Sequence, residues 1–329
     1  MSLTSFLADK EVRDKFAEQF PLPEFDLKGE ILAPPLTDHY LLIGTAFDYL
    51  MRFYLKFLNP NAITQTWIAE NAVSMIPSVF PDSDIGKAYY QRNDVWQPSG
   101  FTSKNINMPI CLAIDIDKST EYVERIVNGK VEVAIGGFEE IQKIAKEIIQ
   151  QAKENYLLFL KAGKINNNII KSALLLAQLD PIYRAAYIDK NIGKIDSKDV
   201  DDLKRLISII NPKDFKALKY CLLNPTFGKA SASIGGADAD ICIDDKLIDI
   251  KTTKFLKLDR KFFNQIIGYY ILSKIGNING LPHKSEITDL GIYFSRYGKL
   301  STFKVANIID IKKLPNFIKW FNKKVRELD

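Results

Sequence analysis

Residues 235–253, GGADADICIDDKLIDIKTT, place five aspartates beside isoleucines that have the character of core residues. Aspartate is a poor strand former and like charges on neighbouring strands repel one another, so such a pair of strands needs a compensating partner. The segments DADICI and LIDIKTT can be joined through Asp244-Asp245 or through Asp245-Lys246, and a two-residue connection is the commonest hairpin turn. The stretch therefore predicts a β-hairpin.

The two faces of this hairpin differ in chemistry. In either register Asp240 shares a face with Asp249 and Lys251, because side chains alternate along a strand. The other face carries Ile241, Ile243, Ile248 and Ile250. We therefore expect the isoleucines to enter the core and the acids to form a site, with Asp244 and Asp245 serving in the turn.

The acidic face has the composition of a metal site. Two opposed carboxylates, with Cβ atoms about 5 Å apart, cost stability unless a cation lies between them. Carboxylate oxygens completed by water and phosphate are what Mg²⁺ prefers. Lys251 can then orient or deprotonate a water beside the metal. We predict a Mg²⁺ (or Mn²⁺) site at Asp240 and Asp249, with Asp238 as a reserve ligand.

Composition excludes several other chemistries. The 329 residues are 47% hydrophobic and 26% charged, which is typical of a folded protein, and the net charge of +5 is only mildly basic. Three cysteines and two histidines cannot build a disulfide framework, a four-cysteine cluster or a multi-histidine metal site. We find no apolar run of membrane-spanning length and no signal-peptide pattern, so a cytoplasmic protein that does not contact membranes is expected.

The predicted secondary structure changes along the chain. The segment GTAFDYLMRFYLKFL predicts a helix that ends at Asn59 and Pro60. Between about 60 and 224 the pattern is mostly helical, which predicts an all-α block. After Pro225 the order strand, strand, helix, strand, helix predicts a mixed sheet with covering helices. The expected division is an N-terminal segment with the first core helix (1–59), a helical insertion (60–224) and an α/β core (225–329).

Three motifs of the chain, G-A-D-A-D-I, I-D-I-K-T and N-Q-I-I-G-Y, together resemble the RecB-like branch of the PD-(D/E)xK nuclease superfamily. The resemblance covers roughly residues 37–58 and 225–329. It implies a restriction-endonuclease-like fold, that is, a mixed β-sheet core flanked by helices, here with a large all-α insertion. It also implies a nuclease that depends on a divalent metal.

The resemblance assigns roles residue by residue. Asp240, Asp249 and the backbone carbonyl of Ile250 would hold the metal, and Lys251 would assist the attacking water. Gln265 and Tyr269 would line the site; independently of the family, they are four residues apart and share one helical face.

One position departs from the commoner family pattern. Asp48 stands where many members carry a histidine, one turn after Gly44, and would be a third carboxylate for the metal. The alternative is an exposed Asp48 paired with Arg52 on the same helix.

Basic residues follow the motif closely and suit phosphate contacts. The candidates for binding nucleic acid are Lys254, Lys257, Arg260, Lys261 and Arg296. We therefore predict a nuclease that hydrolyses phosphodiester bonds, with DNA as the expected substrate; exonuclease and endonuclease, RNA, and a monomer or homodimer all remain open. The alternative is a catalytically inactive nucleic-acid-binding or scaffold protein on a nuclease fold.

A calcium-binding loop of the EF-hand type beginning at Asp238 would also explain several acids. It fails at Cys242, where an oxygen ligand is expected, and at Ile243, where the sharp turn needs glycine.

Overall fold

A computed structural model of the protein describes residues 2–23, 27–75, 88–92, 95–98, 113–114, 122–127, 130–135, 138–185, 187–188, 191–282 and 285–328, with side chains outside 74–140 and 185–190. The chain divides into two units. The first contains Met1–Tyr40, Met51–Gln65 and Lys204–Asp329, and the second contains Leu41–Leu50 and Thr66–Leu203.

The helices are α1 (Leu3–Ala8), α2 (Lys10–Gln19), α3 (Tyr40–Leu58), α4 (Ile68–Met75), α5 (Phe138–Ala162), α6 (Asn167–Ala185), α7 (Ser197–Ser208), α8 (Lys229–Ser233), α9 (Arg260–Gly276) and α10 (Leu314–Leu328). The strands are β1 (Ile63–Thr64), β2 (Ala88–Arg92), β3 (Val95–Pro98), β4 (Ala113–Ile114), β5 (Tyr122–Val127), β6 (Lys130–Ile135), β7 (Tyr187–Ile188), β8 (Cys221–Leu223), β9 (Ile241–Ile243), β10 (Lys246–Lys251), β11 (Asp289–Phe294) and β12 (Lys299–Lys304).

The first unit is built on a six-stranded mixed sheet with the order β1-β8-β9-β10-β11-β12. The β1–β8 and β10–β11 pairs are parallel, and the other neighbours are antiparallel. Strand β10, which carries the Asp-x-Lys motif, has a hydrogen-bonded neighbour on each side. The predicted class, a mixed α/β protein with helices beside the sheet, is confirmed at this level.

The hairpin of β9 and β10 has the first of the two predicted registers. Ile243 pairs with Lys246 and Leu247 with Cys242, so the turn is Asp244-Asp245. Asp244 has a φ of 53°, a left-handed conformation that aspartate tolerates better than most residues. Its carboxylate accepts hydrogen bonds from the backbone N–H groups of the segment before β8, namely Leu218, Lys219 and Tyr220.

These hydrogen bonds predict a pH-dependent stability. Burial alone would raise the pKa of Asp244, but the three backbone hydrogen bonds lower it below its ordinary value of 3.8. A group with a depressed folded pKa stabilises the fold above its unfolded pKa and loses that contribution as the pH falls through the folded pKa. We expect Asp244→Asn to lower the free energy of unfolding by about 1 kcal/mol at pH 7 and by clearly less at pH 3. Urea denaturation at both pH values measures this, and an equal loss at both would contradict it.

Both faces of the hairpin are buried. The isoleucines of one face are buried as predicted, but Cys242 and Leu247 on the acidic face are also fully buried. These two residues enter a core cluster with apolar residues of α1, α2, α9 and α10. The prediction that only the isoleucine face enters the core was therefore incomplete. The face that carries the acids is also largely covered, by helices.

Aromatic contacts fix the helices over this face. The ring of Phe6 in α1 lies 4.9 Å from that of Phe321 in α10, and the ring of Phe16 in α2 lies 5.2 Å from that of Phe317. Edge-to-face rings at these separations add stability beyond the area that they bury. The first twenty residues, which carry no motif, thus form part of the core of the first unit.

The prediction of an all-α block over residues 60–224 was wrong. Strands β2, β3, β5 and β6 form an antiparallel sheet in the order β3-β2-β6-β5, and β4 pairs with β7. The sequence had a signal: 122–127 is rich in β-branched and aromatic residues, 130–133 alternates polar and apolar residues, and between them stands Asn-Gly at 128–129, a pair frequent in hairpin turns. Strand β8, also placed in the insertion by the sequence, pairs with β9 in the sheet of the first unit.

The second unit contains the helices α4, α5 and α6. Helix α5 ends at Ala162, before Gly163, α6 continues past Pro181, and α4 and α5 pack against α6. In this unit the buried Tyr49 hydroxyl donates to Asp180 at 2.5 Å and accepts from the N–H of Ala69 at 3.0 Å. Among the described residues, no helix is both long and apolar enough to cross a membrane.

Candidate active site

Strand β10 brings Asp249 into the interior of the first unit. Its side chain is 1% exposed, and its backbone lies between β9 and β11. A carboxylate at such a position loses most of its hydration, so it needs compensating positive charge or hydrogen bonds. The nearest compensation is Lys251, two residues along the same strand and on the same face, whose Nζ lies 2.5 Å from Oδ2 of Asp249.

Asp240 directly precedes β9, and its carboxylate contacts the backbone of β10. Continuing the observed register by one residue from the pair of Ile248 with Ile241 brings 240 and 249 beside one another. Oδ2 of Asp240 accepts the backbone N–H of Ile250 at 2.6 Å. The Asp240 side chain therefore takes the place of a backbone acceptor where the ladder ends, and this fixes its orientation.

Helix α9 supplies the other two motif residues. Nζ of Lys251 donates to Oε1 of Gln265 at 2.9 Å, and Nε2 of Gln265 donates to the hydroxyl of Tyr269 at 2.8 Å. The Lys251 side chain is 14% exposed, and its Nζ also lies 5.1 Å from the centre of the Phe262 ring. The structure thus joins Asp249, Lys251, Gln265 and Tyr269 in one continuous chain of polar contacts.

The pKa of the Tyr269 hydroxyl is affected by the negative charges of the site. Its pKa is raised well above the ordinary value of 10.0, first by burial and then by the charges of three carboxylates. These carboxylates are Asp249, Asp240 and Asp238. Because the hydrogen bond from Gln265 offsets this only in part, Tyr269 stays a neutral phenol at ordinary pH and keeps a proton to donate.

Asn224, which sequence reasoning read only as a boundary before Pro225, organises two of the acids. Its Nδ2 donates to Oδ2 of Asp238 at 3.0 Å, and its backbone N–H donates to the carbonyl of Asp240 at 2.9 Å. It is buried and has a φ of 55°. No motif marks such a residue, because its role depends on β8 lying beside β9.

The donor set suits a hard cation at two of the predicted positions. Among the residues that the structure describes, no group of three or more His, Cys, Asp or Glu side chains has metal-binding geometry. Two carboxylates, Asp240 and Asp249, are brought together, and Mg²⁺ is commonly held by one or two carboxylates with water and substrate phosphate completing its shell. The residues therefore fit Mg²⁺ or Mn²⁺ better than a metal that needs a full protein cage.

The remaining predicted ligands differ in status. Asp238 is half-buried and held by Asn224, and its charge, like those of Asp249 and Asp240, raises the pKa of Tyr269. The Ile250 carbonyl as a ligand stays a prediction, since the structure fixes only its N–H. Asp48 belongs to the second unit, so its role also stays a prediction.

The predicted basic residues divide into two groups. Lys254, Lys257 and Lys261 are exposed. Arg260 is half-buried, and its Nη1 donates to the carbonyl of Phe20 at 2.7 Å, so it ties α9 to the end of α2.

Arg296 requires a correction. It is 1% exposed, and its Nη1 donates to the carbonyl of Ala33 at 2.9 Å. A guanidinium buried in this way positions the chain after residue 30 and cannot reach a phosphate outside. No pattern in the chain indicated this, because an arginine after a strand looks the same whether it points inward or outward.

Comparison of the chain with protein-family models, with curated proteins and with solved structures found no match.

Proposed function

We propose that the protein is a nuclease that uses Mg²⁺ or Mn²⁺ to hydrolyse phosphodiester bonds in DNA, on a restriction-endonuclease-like core of the RecB-like type. The observation that carries the proposal is the contact chain from the buried Asp249 through Lys251 and Gln265 to Tyr269, with Asp240 beside it. These are the residues that the motif names, and they come from the residue before β9, from strand β10 and from helix α9. A short sequence motif is evidence for a function only when its residues also come together in the structure, as they do here.

Each residue has a role in this proposal. When bound, the metal would polarise the scissile phosphate and stabilise the charge that develops on it. Asp240 and Asp249 would hold it, the first with its carboxylate already oriented by the N–H of Ile250. Lys251 would orient the attacking water by a hydrogen bond from its ammonium, or, as a neutral amine, take a proton from that water. The water oxygen bonds to phosphorus, the ester P–O bond breaks, and the released oxygen takes up a proton from solvent. Gln265 keeps the ammonium in place, and Tyr269 offers a neutral hydrogen-bond donor.

The rival function is a nucleic-acid-binding or scaffold protein whose site is structural. In that case the ion pair of Lys251 with Asp249 would serve only to neutralise a buried charge. A buried ion pair kept for stability alone has a weak rationale, because apolar residues of similar volume are often at least as stabilising. This favours the catalytic proposal.

A reducing compartment such as the cytoplasm fits the free, buried thiols of Cys221 and Cys242.

The test is cleavage of labelled single-stranded, linear duplex and circular DNA, and of RNA, by the purified protein. We expect cutting with Mg²⁺ or Mn²⁺, none with EDTA, and none by the double variant Asp240→Asn/Asp249→Asn, which keeps the size of both side chains. The substrate profile separates attack at ends from internal attack. If the wild type and the double variant bind DNA equally and neither cleaves any substrate, the protein is a nucleic-acid-binding protein and not a nuclease.

A further inference from the structure

The loop between β10 and α9 exposes an aromatic ring close to the candidate site. Phe255 is 65% exposed, although it follows Lys251 by only four residues. An extended chain of this length spans at most about 14 Å. A ring in this position can therefore contact a substrate whose phosphate lies at Lys251.

The backbone around Phe255 is held on both sides. The hydroxyl of Tyr297 donates to the carbonyl of Lys254 at 2.6 Å, and the hydroxyl of the buried Ser295 donates to Oγ1 of Thr252 at 2.9 Å. After Phe255, Leu256 packs against the core cluster and Leu258 is buried in it. The exposed ring thus projects from an anchored segment, so little conformational entropy is lost when it binds a ligand.

A second aromatic ring and several positive charges lie beside it. Nζ of Lys254 lies 5.3 Å from the centre of the Phe255 ring and 6.0 Å from that of Tyr40, which is 48% exposed. Lys257 and Lys261 are exposed on the same stretch of chain. Exposed rings interleaved with lysines are the combination by which proteins bind unpaired nucleic acid, since bases stack on the rings and phosphates contact the ammonium groups.

We propose that Phe255, with Tyr40 and Lys254, is a stacking platform for an unpaired base of a DNA strand that enters the candidate site. The charges favour this ligand over an apolar peptide, because the lysines around the ring complement phosphates. In a fully paired duplex the faces of internal bases are covered by their neighbours, so the platform selects single strands, frayed ends or overhangs. The inference rests on the proposed function for its substrate class, but its test needs no catalysis.

The test measures binding in EDTA. A short single-stranded oligodeoxynucleotide carrying 2-aminopurine is titrated with the protein, and the stacking of this base on a ring quenches its fluorescence. We expect quenching by the wild type, and for Phe255→Ala a dissociation constant roughly 5- to 150-fold higher, with the quenching lost. Phe255→Trp should keep both, and Phe255→Leu should behave like the alanine variant. Affinity for a covalently closed circular duplex should change by less than about twofold in all of them, since it has no ends and its paired bases offer the ring no free face.

Ile311→Ala is the matched control, since Ile311 is also 65% exposed and lies beyond β12 in the sequence. It should bind the oligonucleotide as the wild type does, and thermal unfolding should show that all variants are folded. The inference is overturned if Phe255→Ala binds the single strand as tightly as the wild type, or if it loses single-strand and duplex affinity equally. If the protein stacks the base in EDTA but cuts no DNA with Mg²⁺, the stacking platform is supported and the nuclease function is refuted. If the protein cuts DNA but Phe255→Ala binds the single strand as the wild type does, the nuclease function is supported and the stacking platform is refuted.

Discussion

The Lys251→Met variant is expected to cleave DNA roughly 10²- to 10⁴-fold more slowly than the wild type. Methionine keeps most of the volume of the side chain but removes the ammonium that contacts both Asp249 and Gln265. Without it the attacking water loses its positioning group, while the carboxylates that would hold the metal remain. Single-turnover cleavage with Mg²⁺ measures the loss, and a rate within about tenfold of the wild type would remove Lys251 from the mechanism.

The same variant has a second expected readout that does not depend on activity. In EDTA, Lys251→Met would leave the buried carboxylate of Asp249 without its nearest cation, and loss of one member of a buried pair costs about 3 kcal/mol or more. Mg²⁺ should restore part of this stability, because it supplies positive charge at the same carboxylates and no longer competes with the ammonium. The rise in melting temperature on adding Mg²⁺ should therefore be larger for Lys251→Met than for the wild type.

A control variant separates this effect from a general change of charge. Lys312→Met removes an ammonium from an exposed position outside the motif. It should change neither the cleavage rate nor the response to Mg²⁺. Equal Mg²⁺ responses in the wild type and Lys251→Met would indicate that the metal does not bind at Asp249.

The local geometry of the site followed from the sequence to a useful degree. Strand alternation alone placed Asp240, Asp249 and Lys251 on one face, and helical spacing placed Gln265 and Tyr269 on another that meets it. These relations hold within a few residues of chain, where backbone geometry leaves few choices. The choice between the two hairpin registers does not affect this result, because both place Asp240, Asp249 and Lys251 on the same face.

Longer-range features could not be read in this way. Arg296 is buried and Phe255 is exposed, the reverse of what their residue types favour. Arg296 contacts the carbonyl of Ala33, and Tyr297 contacts the backbone next to Phe255, and neither tertiary contact has a local sequence signal. Asn224 acquires its role only because β8 pairs with β9. The helical periodicity of α5 and α6 is also a longer and therefore stronger signal than the strand pattern of 122–135.

The close packing of α9 against the segment before the hairpin predicts a large loss of stability on substitution of a glycine. A Cβ atom on Gly276 would lie 1.9 Å from the carbonyl oxygen of Phe227 and 2.8 Å from Cβ of Ala230. Backbone atoms cannot rotate away as a side chain can, so the helix and the segment must move apart. We expect Gly276→Ala to lower the free energy of unfolding by about 2–4 kcal/mol, measured by urea denaturation.

Gly268→Ala is the matched control on the same helix. Its Cβ would lie 3.1 Å from a terminal methyl of Leu3, which can change rotamer, and alanine favours a helix over glycine by about 1 kcal/mol. The two terms nearly cancel, so its stability should stay within about 1 kcal/mol of the wild type. Similar losses for both variants would mean that glycine in α9 is needed for a reason other than the contact with Phe227.

The strain in Gly276→Ala should also reach the candidate site. The ring of Phe227 stacks on that of Tyr269 with 5.8 Å between ring centres, and Tyr269 holds Gln265 beside Lys251. Moving Phe227 therefore loosens the support of the ammonium as well as the fold. At a temperature where both variants are folded, Gly276→Ala should cleave more slowly than Gly268→Ala, and equal rates would show that the site does not depend on this packing.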